Sequence, residues 1–198
     1  MKSLSQFINE SSESVLGPEI IKAYFDDIHD GLKIAIDKTI DQTNNIINTI
    51  EDGLGDNTGI VLNKSQIYDS IIEGLLFKYL NNEVSFTYKQ GKEDTFDKDF
   101  ICTKSGFSDK LRNKFSSAVF SIQVKTSKNG SVFTSNNSGI DEPSFFILIS
   151  YKKSGYNISL DKAWFGYLTP DDWSVSSNNA KLNTKSFVKK SDKTLFEV

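Results

Sequence analysis

Residues 144–151 read Ser-Phe-Phe-Ile-Leu-Ile-Ser-Tyr, a nearly continuous apolar run. This is the pattern of a β-strand covered on both faces, which belongs at the centre of a sheet. The rest of the chain has to supply neighbours for that strand and two layers to cover it. Upstream, Gly17-Pro18 opens a helix with proline at its first position, and Ile20, Ile21, Tyr24, Phe25, Ile28, Leu32, Ala35 and Ile36 recur at helical spacing. A second amphipathic run from Ile40 to Ile50 either continues that helix or follows a break, and it ends at Gly53-Leu54-Gly55-Asp56-Asn57. That cluster is the expected boundary between an N-terminal helical region, residues 1–60, and a core over 61–198.

Ser65 can cap a further helix with Ile67, Ile71, Leu75 and Tyr79 along one face and Ile72, Leu76 and Leu80 broadening it. Glu73 sits amid this apolar surface. The period then changes to two: Val84, Phe86 and Tyr88 alternate up to Gln90-Gly91-Lys92, and Thr95 to Cys102 reads as a return strand, so a hairpin is expected. Residues 108–118 suggest a short helix, and Val119 to Thr126 an alternating strand. Ala163 to Trp173 suggests a strand followed by a Pro-Asp turn, and the polar, Lys-rich remainder reads as loops. Helices mixed with strands in this order predict an α/β fold.

Hydrophobic residues make up 37% and aromatics 12% of the 198 residues, enough to bury one core without disulfides. With one cysteine, Cys102, and one histidine, His29, no zinc site of the Cys/His type can form, so a metal would have oxygen ligands. Neither a signal peptide nor a membrane span is evident, which makes a cytoplasmic location the default expectation. The net charge of −3 is unevenly spread: residues 1–60 hold eleven acidic and four basic side chains, leaving the remainder net basic. Within 104–128, Lys104, Lys110, Arg112, Lys114, Lys125 and Lys128 face only Asp109. That stretch reads either as a solvated helix or as one wall of a basic cleft.

Cleaving a phosphodiester with Mg²⁺ takes carboxylates that hold a hard cation at the scissile phosphate. It also takes a lysine that stabilises or deprotonates the attacking water. One hydrophobic strand ends Phe96-Asp97-Lys98-Asp99-Phe100-Ile101, and a later one carries Gln123-Val124-Lys125. Gln123 and Lys125, two apart, share a face, with Ile122 and Val124 on the other. Asp99 is preferred to Asp97 as the ligand because apolar residues follow it. Glu73 reads either as a site carboxylate or as a helix-surface partner of Lys78 or Tyr79. His29, between two aspartates, reads as a surface residue; Cys102, Trp164, Phe165 and Tyr167 read as core.

In order and spacing, Asp99, Gln123 and Lys125, with Glu73 on the preceding helix, resemble the restriction-endonuclease-like superfamily of PD-(D/E)xK nucleases. The resemblance covers roughly residues 65–170. It implies a restriction-endonuclease-like core, a mixed central sheet flanked by helices, with Asp99, Gln123 and Glu73 holding Mg²⁺ and Lys125 as the catalytic lysine. Two departures stand out: no proline precedes the Asp, and Gln123 replaces the usual acidic residue. A glutamine carbonyl can ligate Mg²⁺, so Gln123 marks either a weaker metal site or an inactivated protein.

Among members of the superfamily the compact chain most resembles a Type II restriction endonuclease. That implies a homodimer on double-stranded DNA, with residues 1–60 as a dimerisation element, and it leaves room for a companion DNA methyltransferase in the cell. Lys104, Lys110, Arg112, Lys114, Lys128, Asn136 and Asn137 are the expected DNA contacts. The segments Lys128–Ser138 and Ser174–Lys185 are expected as base-reading loops.

Overall fold

The computed structural model describes residues 17–54, 64–84, 87–90, 100–103, 120–128, 132–136, 140, 143–176, 179–184 and 194–198. Two helices, α1 (Pro18–Leu54) and α2 (Lys64–Glu83), precede nine strands. These are β1 (Thr87–Gln90), β2 (Phe100–Thr103), β3 (Phe120–Lys128), β4 (Val132–Asn136), β5 (Ser144–Ser154), β6 (Asn157–Leu168), β7 (Ser174–Ser176), β8 (Asn179–Asn183) and β9 (Leu195–Glu197). Six of them form a mixed sheet in the order β1-β2-β3-β5-β6-β9. Only β3 and β5 run parallel; every other neighbouring pair is antiparallel.

The apolar run at 144–151 is central, as expected, and all eight of its residues are buried, Ser144 and Ser150 included, because both faces of the strand are covered. Phe145, Ile147, Ile149 and Tyr151 join a core shared with α1 and α2. Phe146 and Leu148 face the other way, into a second cluster with Phe133, Trp164, Trp173 and Leu182. The cover on that second face is a small antiparallel sheet in the order β4-β8-β7. The segments expected as base-reading loops are therefore largely strands. Their alternation, buried Phe133 and Ser135 in β4 and buried Ala180 and Leu182 in β8, is obscured in the sequence because the intervening residues are short and polar.

The helical stripe of α1 runs unbroken through the second amphipathic segment. Its continuity rests on Thr39 and Thr43, both fully buried, whose hydroxyls donate to the carbonyls of Ala35 and Thr39 at 2.7 Å and so need no other partner. The carbonyl of Gly17 accepts from Ile20 and Ile21 at 3.0 and 3.2 Å, consistent with proline at the first helical position. Residues 21–47 of α1 bury their stripe in the same core as β5 and β6.

In α2 the centre of the buried stripe lies one residue later than expected. Tyr68, Ile72, Leu76 and Leu80 are buried, and Ile67, Ile71, Leu75 and Tyr79 only partly so. The helix also begins at Lys64, placing Ser65 within it rather than as its cap. Its end is held against α1, where a Cβ on Gly31 would stand 2.4 Å from the Glu83 carbonyl and 2.5 Å from Val84 Cγ1. Lys38 pairs with Glu83 at 2.5 Å. Val84 belongs to a bend that packs on the core rather than to a strand, so the hairpin starts at Thr87. Its antiparallel pairing of β1 with β2 is as expected.

β5 and β6 are joined through a two-residue loop with Gly155 at φ +60°, which a tight hairpin requires. The register shifts between Ser150 and Tyr151, leaving Asp161 without a partner in β5. The extra residue bonds to Ser150 Oγ at 3.2 Å and to Lys152 Nζ at 2.6 Å. This β-bulge reverses the parity of β6, so that Ile158 on one side of it and Ala163 and Phe165 on the other all face the helices. The open end of β6 is closed by Asn44. Its amide Nδ2 donates to the Ile158 carbonyl at 2.9 Å, and its Oδ1 accepts from the Ile158 N–H at 2.7 Å.

Candidate active site

β3 is paired differently along its length. Phe120, Ser121 and Ile122 pair with Cys102, Ile101 and Phe100 of β2. From Gln123 to Lys128, β5 is the only partner among the described residues. Between this stretch of β3 and α2 lies a gap. Ile122 and Val124 face the helical core. Gln123 pairs in register with Phe146 of the opposite cluster, so Gln123 and Lys125 share the other side of the strand, as their spacing predicts.

The gap is a cleft of about 220 Å³ lined by Asp69, Glu73, Val124, Lys125, Thr126 and Thr134. Asp69 and Glu73 stand four residues apart on α2, one turn of the same face. Thr126 Oγ1 donates to Asp69 Oδ1, which ties this stretch of β3 to the helix. Burial raises the Asp69 pKa above its ordinary 3.8, and the Thr126 hydrogen bond opposes this only in part. The Tyr151 hydroxyl is pushed up to about 12 by burial and, after that, by the nearby Asp69 and Tyr68. A carboxylate cleft next to a lysine, at the edge of a rigid sheet, can hold a cation and a proton-transferring amine close to one phosphate.

Of the expected catalytic residues, Glu73 and Lys125 are brought to one cleft. Gln123 is 3% exposed, on the same strand two residues earlier, and it does not line the cleft. Its Oε1 is buried with no hydrogen-bond partner among the described residues. Asp97 and Asp99 lie outside the described residues; Asp99 directly precedes Phe100, the partner of Ile122. Lys104, Lys110, Arg112, Lys114 and Asn137, and the expected helix over 108–118, also lie outside. Lys128 is exposed at the end of β3, and Asn136 ends β4. Trp164 and Phe165 are buried in the two cores and Tyr167 packs partly against one. His29 is paired with Asp30 at 2.9 Å on the surface of α1.

Among the described residues no group of three or more His, Cys, Asp or Glu forms a metal cluster. The oxygens near the cleft still fit Mg²⁺ in kind: two carboxylates, Asp69 and Glu73, and on β3 a buried amide oxygen without a partner among the described residues. An orphaned buried acceptor costs about 1–3 kcal/mol, which a ligand or water supplying it with a positive partner would relieve. Sequence reasoning missed Asp69, Thr126 and Thr134. Asp69 carried a signal, its four-residue spacing from Glu73; the other two did not, because they meet Asp69 and Glu73 only through the fold. A larger hollow of about 450 Å³ lies between Asp37, Asp41 and Asn44 of α1 and 158–160 of β6. No lysine lines it, so it lacks the chemistry of the first.

Among the described residues no helix is long and apolar enough to cross a membrane. No protein-family model matches the chain, and no curated protein matches it. The fold is similar to that of the restriction endonuclease BglI, solved bound to its DNA recognition sequence. That similarity has a TM-score of 0.60 at 10% identity and covers 98% of this chain and 93% of that one. At this identity the likeness is one of fold: the chain has a restriction-endonuclease-like α/β architecture with a mixed central sheet and an N-terminal helical region.

Proposed function

We propose that the protein is a Mg²⁺-dependent endonuclease that hydrolyses phosphodiester bonds of double-stranded DNA at a specific sequence, as Type II restriction enzymes do. The observation that carries this reading is the meeting of Glu73 and Lys125 in one cleft of a restriction-endonuclease-like fold. Glu73, Gln123 and Asp99 would hold the cation, which supplies Lewis-acid stabilisation of the phosphate when bound. Lys125 would hold or accept a proton at the attacking water.

DNA as the partner is supported by the small sheet beside the cleft. Thr134 of β4 lines the cleft, and its register partner Lys181 pairs in turn with Ser174 of β7. Ser174, Ser176, Asn179, Lys181 and Asn183 are exposed, and the three strands contain no acidic residue. Asn and Lys suit base edges and phosphates. A homodimer on a palindromic site, with residues 1–60 as its dimerisation element and a companion DNA methyltransferase in the cell, completes this reading.

The test is incubation of the purified protein with bacteriophage DNA in Mg²⁺ and in EDTA, followed by electrophoresis. Discrete fragments appearing only with Mg²⁺ are the expected result. A smear would transfer the reading to another nuclease of the same core, a mobile-element, repair or toxin enzyme. Intact DNA in both lanes would overturn cleavage and favour a non-catalytic DNA-binding module, the reading to which an amide at position 123 otherwise points.

A further inference from the structure

The position of Lys125 raises a problem of orientation. A strand with ladder hydrogen bonds on both sides is fixed in its rotation about its own axis; over 123–128 the described ladder holds β3 on one side only, through β5. Lys125 lies in that stretch. A small rotation there would swing its ammonium group across the cleft, and its long, flexible stem would not resist.

The Thr126 hydroxyl, next along the strand, is bonded to Asp69 on α2. Consecutive side chains project to opposite faces. Holding Thr126 down on the helix side therefore turns Lys125 toward the side where Thr134 closes the cleft. We propose that Asp69 is a positioning residue for Lys125, acting through Thr126, whose hydroxyl anchors this stretch of β3 to α2. This rests on the reading of Lys125 as the functional lysine. The burial that raises the Asp69 pKa agrees with a carboxylate kept partly dry to serve a neighbour.

The hydroxyl is the part of Thr126 on which the proposal depends, so the informative variants are Thr126→Val, of equal shape without the hydroxyl, and Thr126→Ser, which keeps it. Asp69→Ala removes the acceptor and Asp69→Asn retains one. Misplacing a catalytic group by about 1 Å costs on the order of 10²-fold. A loss of that order in the single-turnover cleavage rate at saturating DNA is expected for Thr126→Val and for Asp69→Ala, with KM for DNA unchanged. The double variant should be no slower than either single one, and Thr126→Ser and Asp69→Asn should recover most of the rate. A parallel reading on the full chain is the NMR signal of isotopically dimethylated Lys125, identified by its loss in Lys125→Arg. It should move in Thr126→Val and return in Thr126→Ser. Folded Thr126→Val with an unchanged rate and an unchanged Lys125 signal overturns the proposal, as does a double variant whose losses add. If the wild-type chain cleaves no DNA, the proposed function falls on its own, and the Lys125 signal alone then decides whether Asp69 positions it.

Discussion

Thr126 on β3 donates its hydroxyl hydrogen bond to Asp69 on α2, and this single contact joins the strand that carries Lys125 to the helix that carries Glu73. It bridges 57 positions of sequence. Because the acceptor is a half-buried carboxylate, the contact is sensitive to protonation. Asp69 titrates above 3.8 in the folded chain, so folding favours its protonated form. The stability it contributes is present below 3.8 and is lost as pH rises through the raised value. Asp69→Asn, neutral at every pH and still an acceptor, should melt higher than wild type at pH 7 and converge with it in strong acid. Thermal denaturation across that range checks this, and a variant less stable throughout would contradict it.

Removing the Lys125 amine should abolish cleavage with little effect on folding, because the side chain lies at the cleft and outside both cores. Lys125→Ala should slow DNA cleavage by about 10²–10⁴-fold and leave the melting temperature within a few degrees of wild type. Asp99→Ala should do the same. Activity that survives in either variant would remove that residue from the site.

Gln123 is buried with its Oε1 unpartnered among the described residues. Gln123→Glu adds a charge that is costly to bury unless a cation meets it. Cleavage followed against Mg²⁺ concentration should show half-maximal rate at lower Mg²⁺ in this variant than in wild type. A folded variant that needs more Mg²⁺, or cuts more slowly at saturation, would mean that the amide itself is required.

The side-chain amide of Asn44 acts as a short strand toward Ile158, pairing with both its N–H and its C=O. Asn44→Leu would leave both backbone groups without that partner, at about 1–3 kcal/mol. Asn44→Asp, which keeps the acceptor, should lose less. Urea denaturation of the two variants side by side gives the ordering.

At Gly31 the demand is for space. A methyl group there would meet the Glu83 carbonyl and Val84 Cγ1 at 2.4 and 2.5 Å. Gly31→Ala should therefore destabilise the fold by about 1–3 kcal/mol through overpacking, although alanine is the better helix former. A stabilised variant would show that α1 and α2 separate at no cost.

Much of this architecture was legible beforehand, and for a common reason. The Ser144–Tyr151 run, the two amphipathic helices and the hairpin each carry a periodic signal that local sequence spacing expresses. The small sheet did not. Its strands are three to five residues long and mostly Asn, Ser, Thr and Lys, and they are strands only because Phe133, Ala180 and Leu182 find Phe146, Leu148 and Trp164 beneath them. The bulge at Asp161 was equally silent, since it keeps Ile158 and Phe165 on one face by breaking the alternation that identifies a strand.

The sequence by itself determined the class of fold, the side of β3 on which Gln123 and Lys125 lie, and the placing of Glu73 on the helix before the hairpin. Each is a matter of residue type and period within one element. Only the tertiary structure decided that Glu73 and Lys125 share a cleft, that Asp69 and Thr126 link its walls, and that Gln123 is buried. Those facts depend on how α2 packs beside β3, and helix–sheet packing sums weak contacts from residues far apart in the chain, which no local pattern records.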